Sequence, residues 1–140
     1  MTIRIACRPK GWRGSVHGEV YFEEVDSWQF PDKGWEDRLG SVLAMWLDVL
    51  SHTSIEVNER LSFMDGPYYV QIRGRDLQFM SRDGRVWHRV EAGIDDVRLA
   101  VLNAFAQIDR AYLAHGWPID KDWQEARVGA AVVRRLVNES

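Results

Sequence analysis

The pattern of apolar and polar positions predicts one long amphipathic helix in residues 30–50. Apolar side chains recur there at steps of four and three, which is the spacing of one helical face. Pro31 cannot extend a helix backwards, Asp32 can cap the first turn, and Glu36 and Asp37 suit the positive end of the helix dipole. We therefore expect a buried central helix over residues 32–51. Its apolar face consists of Trp35, Leu39, Val42, Leu43, Trp46, Leu47, Val49 and Leu50.

Strand periodicity flanks this helix on both sides. Residues 2–8 and 16–24 alternate with a period of two and predict a hairpin, with a loop at Pro9, Gly11 and Gly14. After the helix, Ile55, Val57, Leu61 and Phe63 indicate an extended segment that ends at a turn over residues 65–67. Residues 68–73, 77–82 and 85–91 then predict a meander.

The same alternation assigns each meander side chain to a face. The inward set is Tyr68, Val70, Ile72, Leu77, Phe79, Val86, His88 and Val90. The outward set is Tyr69, Gln71, Arg73, Gln78, Met80, Arg82, Arg85, Trp87 and Arg89.

Two more helices complete the chain. One follows Gly93, carries Asp95 and Asp96 in its first turn and ends at Gly116. The other is capped by Asp120 and covers residues 121–137, where small residues at 129–131 allow a close neighbour. The order ββαβββ(β)αα predicts an α+β fold: a mainly antiparallel sheet of about five to six strands with three helices packed on one face.

Composition is that of one ordinary globular domain spanning residues 1–140. The chain is 46% hydrophobic and 28% charged, and it has neither an apolar run long enough for a membrane span nor a secretory leader. Its single cysteine, Cys7, alternates with Ile3 and Ile5 and is expected to be buried. We expect a cytoplasmic protein that does not bind a membrane; the oligomeric state stays open.

The sequence contains no motif for catalysis, a metal or a cofactor. Its four histidines are separated by 35, 36 and 27 residues, far from any zinc-ligand spacing. It has no glycine-rich phosphate loop and no complete calcium loop. We therefore expect no enzyme activity, no metal and no cofactor. The competing alternative is a small-ligand-binding protein or enzyme, which would need a pocket.

Charge is distributed unevenly along the chain, whose net charge is −3. Residues 1–14 carry four basic and no acidic side chains, whereas residues 15–65 carry eleven acidic and three basic, a balance of −8. An acidic surface can steer and occlude the basic cleft of a protein that acts on nucleic acids. The outward arginines and aromatics of the meander suggest an alternative, single-stranded nucleic-acid binding, which the acidic balance disfavours.

Several landmarks resemble small bacterial immunity-type proteins of polymorphic-toxin systems. They are Phe30-Pro31, Trp35, Asp37, Trp46 and Phe63-Met64-Asp65-Gly66-Pro67, which together cover about a quarter of the chain. The resemblance implies a non-enzymatic cytoplasmic inhibitor whose partner is a toxin domain. Combined with the charge pattern, it predicts a partner-binding surface made of Glu19, Glu23, Glu24, Asp26, Trp28, Asp32 and Asp37.

Overall fold

The computed structural model describes residues 3–24, 26–52 and 59–139. Within these ranges the chain forms eight strands and three helices. The strands are β1 Ile3–Trp12, β2 Val16–Glu24, β3 Trp28–Phe30, β4 Glu36–Arg38, β5 Glu59–Ser62, β6 Tyr68–Arg73, β7 Asp76–Ser81 and β8 Val86–Glu91. The helices are α1 Leu39–Leu50, α2 Ile94–His115 and α3 Lys121–Asn138.

The predicted α+β fold is confirmed, although the strands form two antiparallel four-stranded sheets rather than one sheet of five to six strands. In the first sheet β2 pairs with β1 along one edge and with both β3 and β4 along the other. The second sheet has the order β5-β6-β7-β8, so the predicted meander is also confirmed. Of the extended segment predicted after the central helix, Ile55 and Val57 lie outside the described residues.

The central helix begins seven residues later than its periodicity predicted. Residues 36–38 form β4, whose Asp37 pairs with Gly18 of β2, and α1 starts only at Leu39. Asp32 therefore does not cap the helix, and Glu36 and Asp37 do not belong to its first turn. Trp35 matched the helical spacing in the sequence but lies in the loop before β4. It still packs into the same aromatic core as the helix, with its ring centroid 6.2 Å from that of Phe63.

Two further sequence expectations are wrong at the level of single strands. The first strand continues through Pro9 with a register shift before Gly11, so the loop begins at Arg13 rather than at Pro9. On the meander, Tyr69 and Gln71 are buried although alternation placed them outward, and Val86 is 42% exposed although alternation placed it inward. Tyr69 and Gln71 are paired with β5 in the same sheet, Gln71 with Arg60 and Tyr69 with Ser62, and the Arg60 guanidinium covers the Tyr69 ring at 4.3 Å.

The core is one hydrophobic cluster that draws on both sheets and all three helices, and α1 lies at its centre. This helix contacts β2, β4, β5, α2 and α3. Its Trp46 is fully buried, with its ring 5.3 Å from the rings of both Phe22 and Phe63. The indole Nε1 donates a hydrogen bond to the Ser62 carbonyl at 2.8 Å. The first sheet, the second sheet and α1 thus meet around one side chain.

The last two helices follow their sequence signals. Gly116 ends α2 in the left-handed region at φ 64°, which favours glycine. The Asp120 carboxylate accepts a hydrogen bond from the Trp123 backbone N–H at 2.8 Å and so caps α3. Trp123 stacks on both Phe105 and Tyr112 of α2, at 4.9 and 4.8 Å, and so fixes α3 against α2.

Candidate functional site

The carboxylates predicted on β2 are largely neutralised by the neighbouring strand. Glu19 Oε2 lies 2.6 Å from Arg8 Nη2 and 3.7 Å from Lys10 Nζ, and Glu23 pairs with Arg4. Only 18% of the Glu19 side chain and 12% of the Glu23 side chain are exposed. The basic amino-terminal segment and the acidic second strand, separate in the sequence, form one mixed-charge sheet face.

Three other predicted carboxylates retain their charge for a partner. Asp26 and Asp32 are exposed and Glu24 is half-buried, and none of the three forms an ion pair with any residue in the described ranges. We call Glu24, Asp26 and Asp32 the hairpin carboxylates: Glu24 and Asp26 lie at the β2–β3 connection, and Asp32 follows β3.

Trp28, predicted as an aromatic anchor, is used to join the two sheets. Its ring stacks on His88 of β8, with centroids 4.0 Å apart and planes 7° apart, and meets Phe79 edge-on at 4.9 Å. Burial lowers the pKa of His88, and the charge of Glu24 opposes this effect. The indole is half-buried and already has aromatic partners on one side.

Asp37 is buried, with 2% of its surface exposed, so it does not contribute to an external acidic surface. Its Oδ2 accepts hydrogen bonds from Trp35 Nε1 at 3.3 Å, Met64 N at 2.9 Å and Asp65 N at 3.3 Å. A side chain at Gly66 would meet the Trp35 ring at 2.8 Å. The landmarks that carry the family resemblance therefore meet in space, where they hold the loop over residues 63–67 in place.

A groove of about 880 Å³ lies between α1 and α3. We call it the α1–α3 groove. At one end Ser41 Oγ of α1 donates to Asp122 Oδ2 of α3 at 2.8 Å. Further along, Gly129 approaches Leu47 so closely that an added Cβ would lie 3.0 Å from the leucine Cβ. The two helices therefore run in the same direction and in close contact along the floor of the groove.

Apolar and acidic side chains line this groove together. The apolar ones include Val128, which is 68% exposed, and Met64, which is 40% exposed and is held at the edge by the Asp37 hydrogen bonds. Lys121 is the one basic side chain of the lining and lies 4.0 Å from Glu125. The remaining lining includes Ala44, Met45, Val132 and the two further carboxylates Asp48 and Asp122. Such a surface suits a ligand that is both apolar and positively charged.

Sequence reasoning missed this groove, although it predicted a close neighbour for residues 129–131. The available signal was Val128, an apolar residue on the face of α3 opposite the buried Ala126, Ala130 and Val133. A matching acidic position, Asp48, lies on the exposed side of α1. Which helix would pack beside α3 could not be inferred from local periodicity.

The aromatic faces of the meander are covered by the protein's own arginines. Arg85 lies over the Trp87 ring at 3.6 Å, and Arg60 covers Tyr69. Arg89 Nη2 is held by Asp76 at 2.8 Å. A base that stacked on the same side of these rings would have to displace the guanidinium groups first.

The environment of Cys7 favours the neutral thiol over the nucleophilic thiolate. Cys7 is half-buried, its Sγ lies 3.3 Å from Gln107 Oε1, and burial raises its pKa to about 11. The thiol is therefore protonated near neutral pH. Within the described ranges no three His, Cys, Asp or Glu side chains are grouped as metal ligands would be.

None of the three helices, as far as the chain is described, has the combined length and apolar content needed to cross a membrane. Comparison with known proteins finds no matching family model, no matching curated protein and no matching solved structure. The surface chemistry of the chain therefore carries the case for its function.

Proposed function

We propose that this protein is a cytoplasmic immunity-type protein that binds a cognate bacterial toxin domain and neutralises it through an acidic surface. The observation that carries the proposal is the α1–α3 groove, which combines apolar lining with three carboxylates. A toxin domain that acts on nucleic acid, such as a nuclease, has a basic surface that would complement this lining. Occlusion of such a surface inhibits without any chemistry in the inhibitor.

The two kinds of lining contribute differently to binding. Carboxylates steer a basic partner into the groove and raise the association rate, whereas burial of apolar area supplies most of the affinity. Asp48 is exposed and makes no ion pair with any described residue, so its charge is available to a partner. The hairpin carboxylates add to the same negative field without providing an apolar contact.

The groove also connects the resemblance landmarks with this function, although Phe30, Asp37, Trp46 and Phe63 among them are buried. Asp37 and Trp35 fix the loop that places Met64 at the edge of the groove. Met64 is flexible and polarisable, which suits a contact surface that must adapt to a partner. The landmarks would then preserve the shape of the binding surface rather than touch the toxin.

Co-expression with the toxin tests this proposal. The carboxy-terminal domain of a secreted protein encoded next to this chain would be expressed alone and together with it, and growth and pull-down would be measured. We expect the wild-type protein to bind the domain and restore growth. Failure of the wild-type protein both to bind and to protect would refute the proposal.

Two matched charge reversals locate the surface. Asp48→Lys with Glu125→Lys changes the groove, and Glu24→Lys with Asp26→Lys changes the hairpin carboxylates by the same total charge. We expect the groove pair to slow association and weaken binding more than the hairpin pair, with both variants folded by circular dichroism, since exposed charges contribute little to stability. The opposite order would keep the function and move the site to the β2–β3 connection.

A further inference from the structure

We infer that the α1–α3 groove takes an amphipathic α-helix that carries basic side chains on both flanks of its apolar face. Identification of this helix as part of a toxin domain rests on the proposed function. The preference for a basic helix rests on the groove alone, so it can be tested without the toxin.

The dimensions of the groove match a short helix. The lining residues of α1 extend from Ser41 to Ser51 and those of α3 from Lys121 to Val132. At 1.5 Å per residue, each wall is about 15 to 17 Å long. A partner helix of about three turns would contact the full length of both walls.

The walls favour a helix over an extended segment because both walls are helices. Their backbone amides and carbonyls are already paired within α1 and α3, so they offer no free row of donors and acceptors. A strand laid in the groove would leave its own backbone groups without partners, which is costly when they are buried. A helix satisfies its backbone internally and presents only side chains.

The floor allows such a helix to approach closely. Ser41 and Ala44 on α1 and Gly129 on α3 present little side-chain volume. Small residues of this kind bring helix axes together, and Met45 and Val128 then provide larger apolar contacts at the sides. This arrangement corresponds to the helix-in-groove mode of recognition, in which apolar anchors recur along one face of the ligand.

The charges predict what flanks the apolar face of the ligand. Asp48 stands on the α1 wall, and Asp122 and Glu125 stand on the α3 wall. Only Lys121 opposes them, and it already lies near Glu125. Lysine or arginine on both sides of the apolar stripe would therefore be complementary, whereas an acidic helix would be repelled.

Synthetic peptides of about 14 residues, long enough for more than three turns, test the inference with the intact protein. The probe would carry leucines at i, i+3, i+4 and i+7 and lysines on both flanks. One control would redistribute the same residues so that no apolar face forms, and a second would replace lysine by glutamate. We expect the probe to bind and gain helicity, and each control to bind about tenfold more weakly or worse.

A matched pair of surface variants shows whether the groove is responsible. Val128→Arg changes a residue that is 68% exposed in the groove, and Leu113→Arg changes one that is 70% exposed on α2 outside it. Both should fold, because neither side chain is part of the core. We expect Val128→Arg to weaken probe binding by about tenfold and Leu113→Arg to change it by less than about twofold.

Three results with the peptides and variants would overturn the inference, and a fourth concerns self-association. They are equal binding of the probe and the redistributed control, equal effects of the two arginine variants, and binding without a gain in helicity. Self-association of the protein that Val128→Arg abolishes would also overturn it, because a second copy would then be the occupant. A probe that binds as expected while the toxin is neither bound nor neutralised would leave the helix preference intact and refute the proposed function alone.

Discussion

Truncation of Trp46 measures how far the fold depends on the packing of α1. The indole is fully buried against Phe22 and Phe63 and donates to the Ser62 carbonyl. Replacing a buried tryptophan by alanine costs on the order of 3 to 5 kcal/mol, and the carbonyl left without its donor adds about 1 kcal/mol. We therefore expect Trp46→Ala to lower the free energy of unfolding by about 5 kcal/mol. Urea denaturation followed by far-ultraviolet circular dichroism measures this loss.

A second tryptophan provides the control for this measurement. Trp12 is 37% exposed near the end of β1, so Trp12→Ala should cost less than about 1 kcal/mol. Trp46→Phe keeps an aromatic ring but removes the indole N–H, and it should fall between the two. A loss below about 1 kcal/mol for Trp46→Ala would refute the reasoning, because α1 would then not be the element on which both sheets pack.

Three further expectations concern helix packing, the buried carboxylate and pH. Gly129→Val should destabilise the protein by about 2 kcal/mol, since the branched valine side chain must force α1 and α3 apart. The control, Ala131→Val on the exposed side of α3, should cost less than about 1 kcal/mol. Thermal denaturation of the two variants distinguishes these outcomes. Asp37→Ala should cost about 3 kcal/mol, because it removes the buried carboxylate that accepts hydrogen bonds from Trp35, Met64 and Asp65, and proteolysis should then cut the loop over residues 63–67 more readily. Burial lowers the pKa of His88, so the folded state binds fewer protons than the unfolded state. The free energy of unfolding should therefore fall as the pH drops below about 6.5. His88→Gln should make this dependence of stability on pH less steep.

The elements that local pattern could define were predicted well. The β6–β8 meander, α2 and α3 have clear periodicity, turn residues and caps, and each was found where the sequence indicated it. The errors occur where a distant partner overrides the local signal. Glu36 to Arg38 extend the helical pattern in sequence, yet they pair with His17 to Glu19 and form β4.

The same limit applies to the candidate site. Sequence alone identified an acidic central region, but it could not show that Glu19 and Glu23 would be paired by arginines of β1 or that Asp37 would be buried. Nor could it bring Asp48 and Glu125 together, since 77 residues separate them along the chain. A site formed by two helices that meet only in the folded protein has no local signature.

The most direct test of the proposed function is the affinity of the protein for a candidate toxin domain, the carboxy-terminal domain of a secreted protein from a neighbouring gene, measured by calorimetry for the wild type, Val128→Arg and Leu113→Arg. We expect the wild type and Leu113→Arg to bind tightly. Val128→Arg should lose about 1.4 kcal/mol or more of binding free energy, which is tenfold in affinity. Protection of growth should follow the same order. Equal affinities for all three proteins would show that the α1–α3 groove is not the binding surface, and no measurable binding by the wild type would contradict an immunity function.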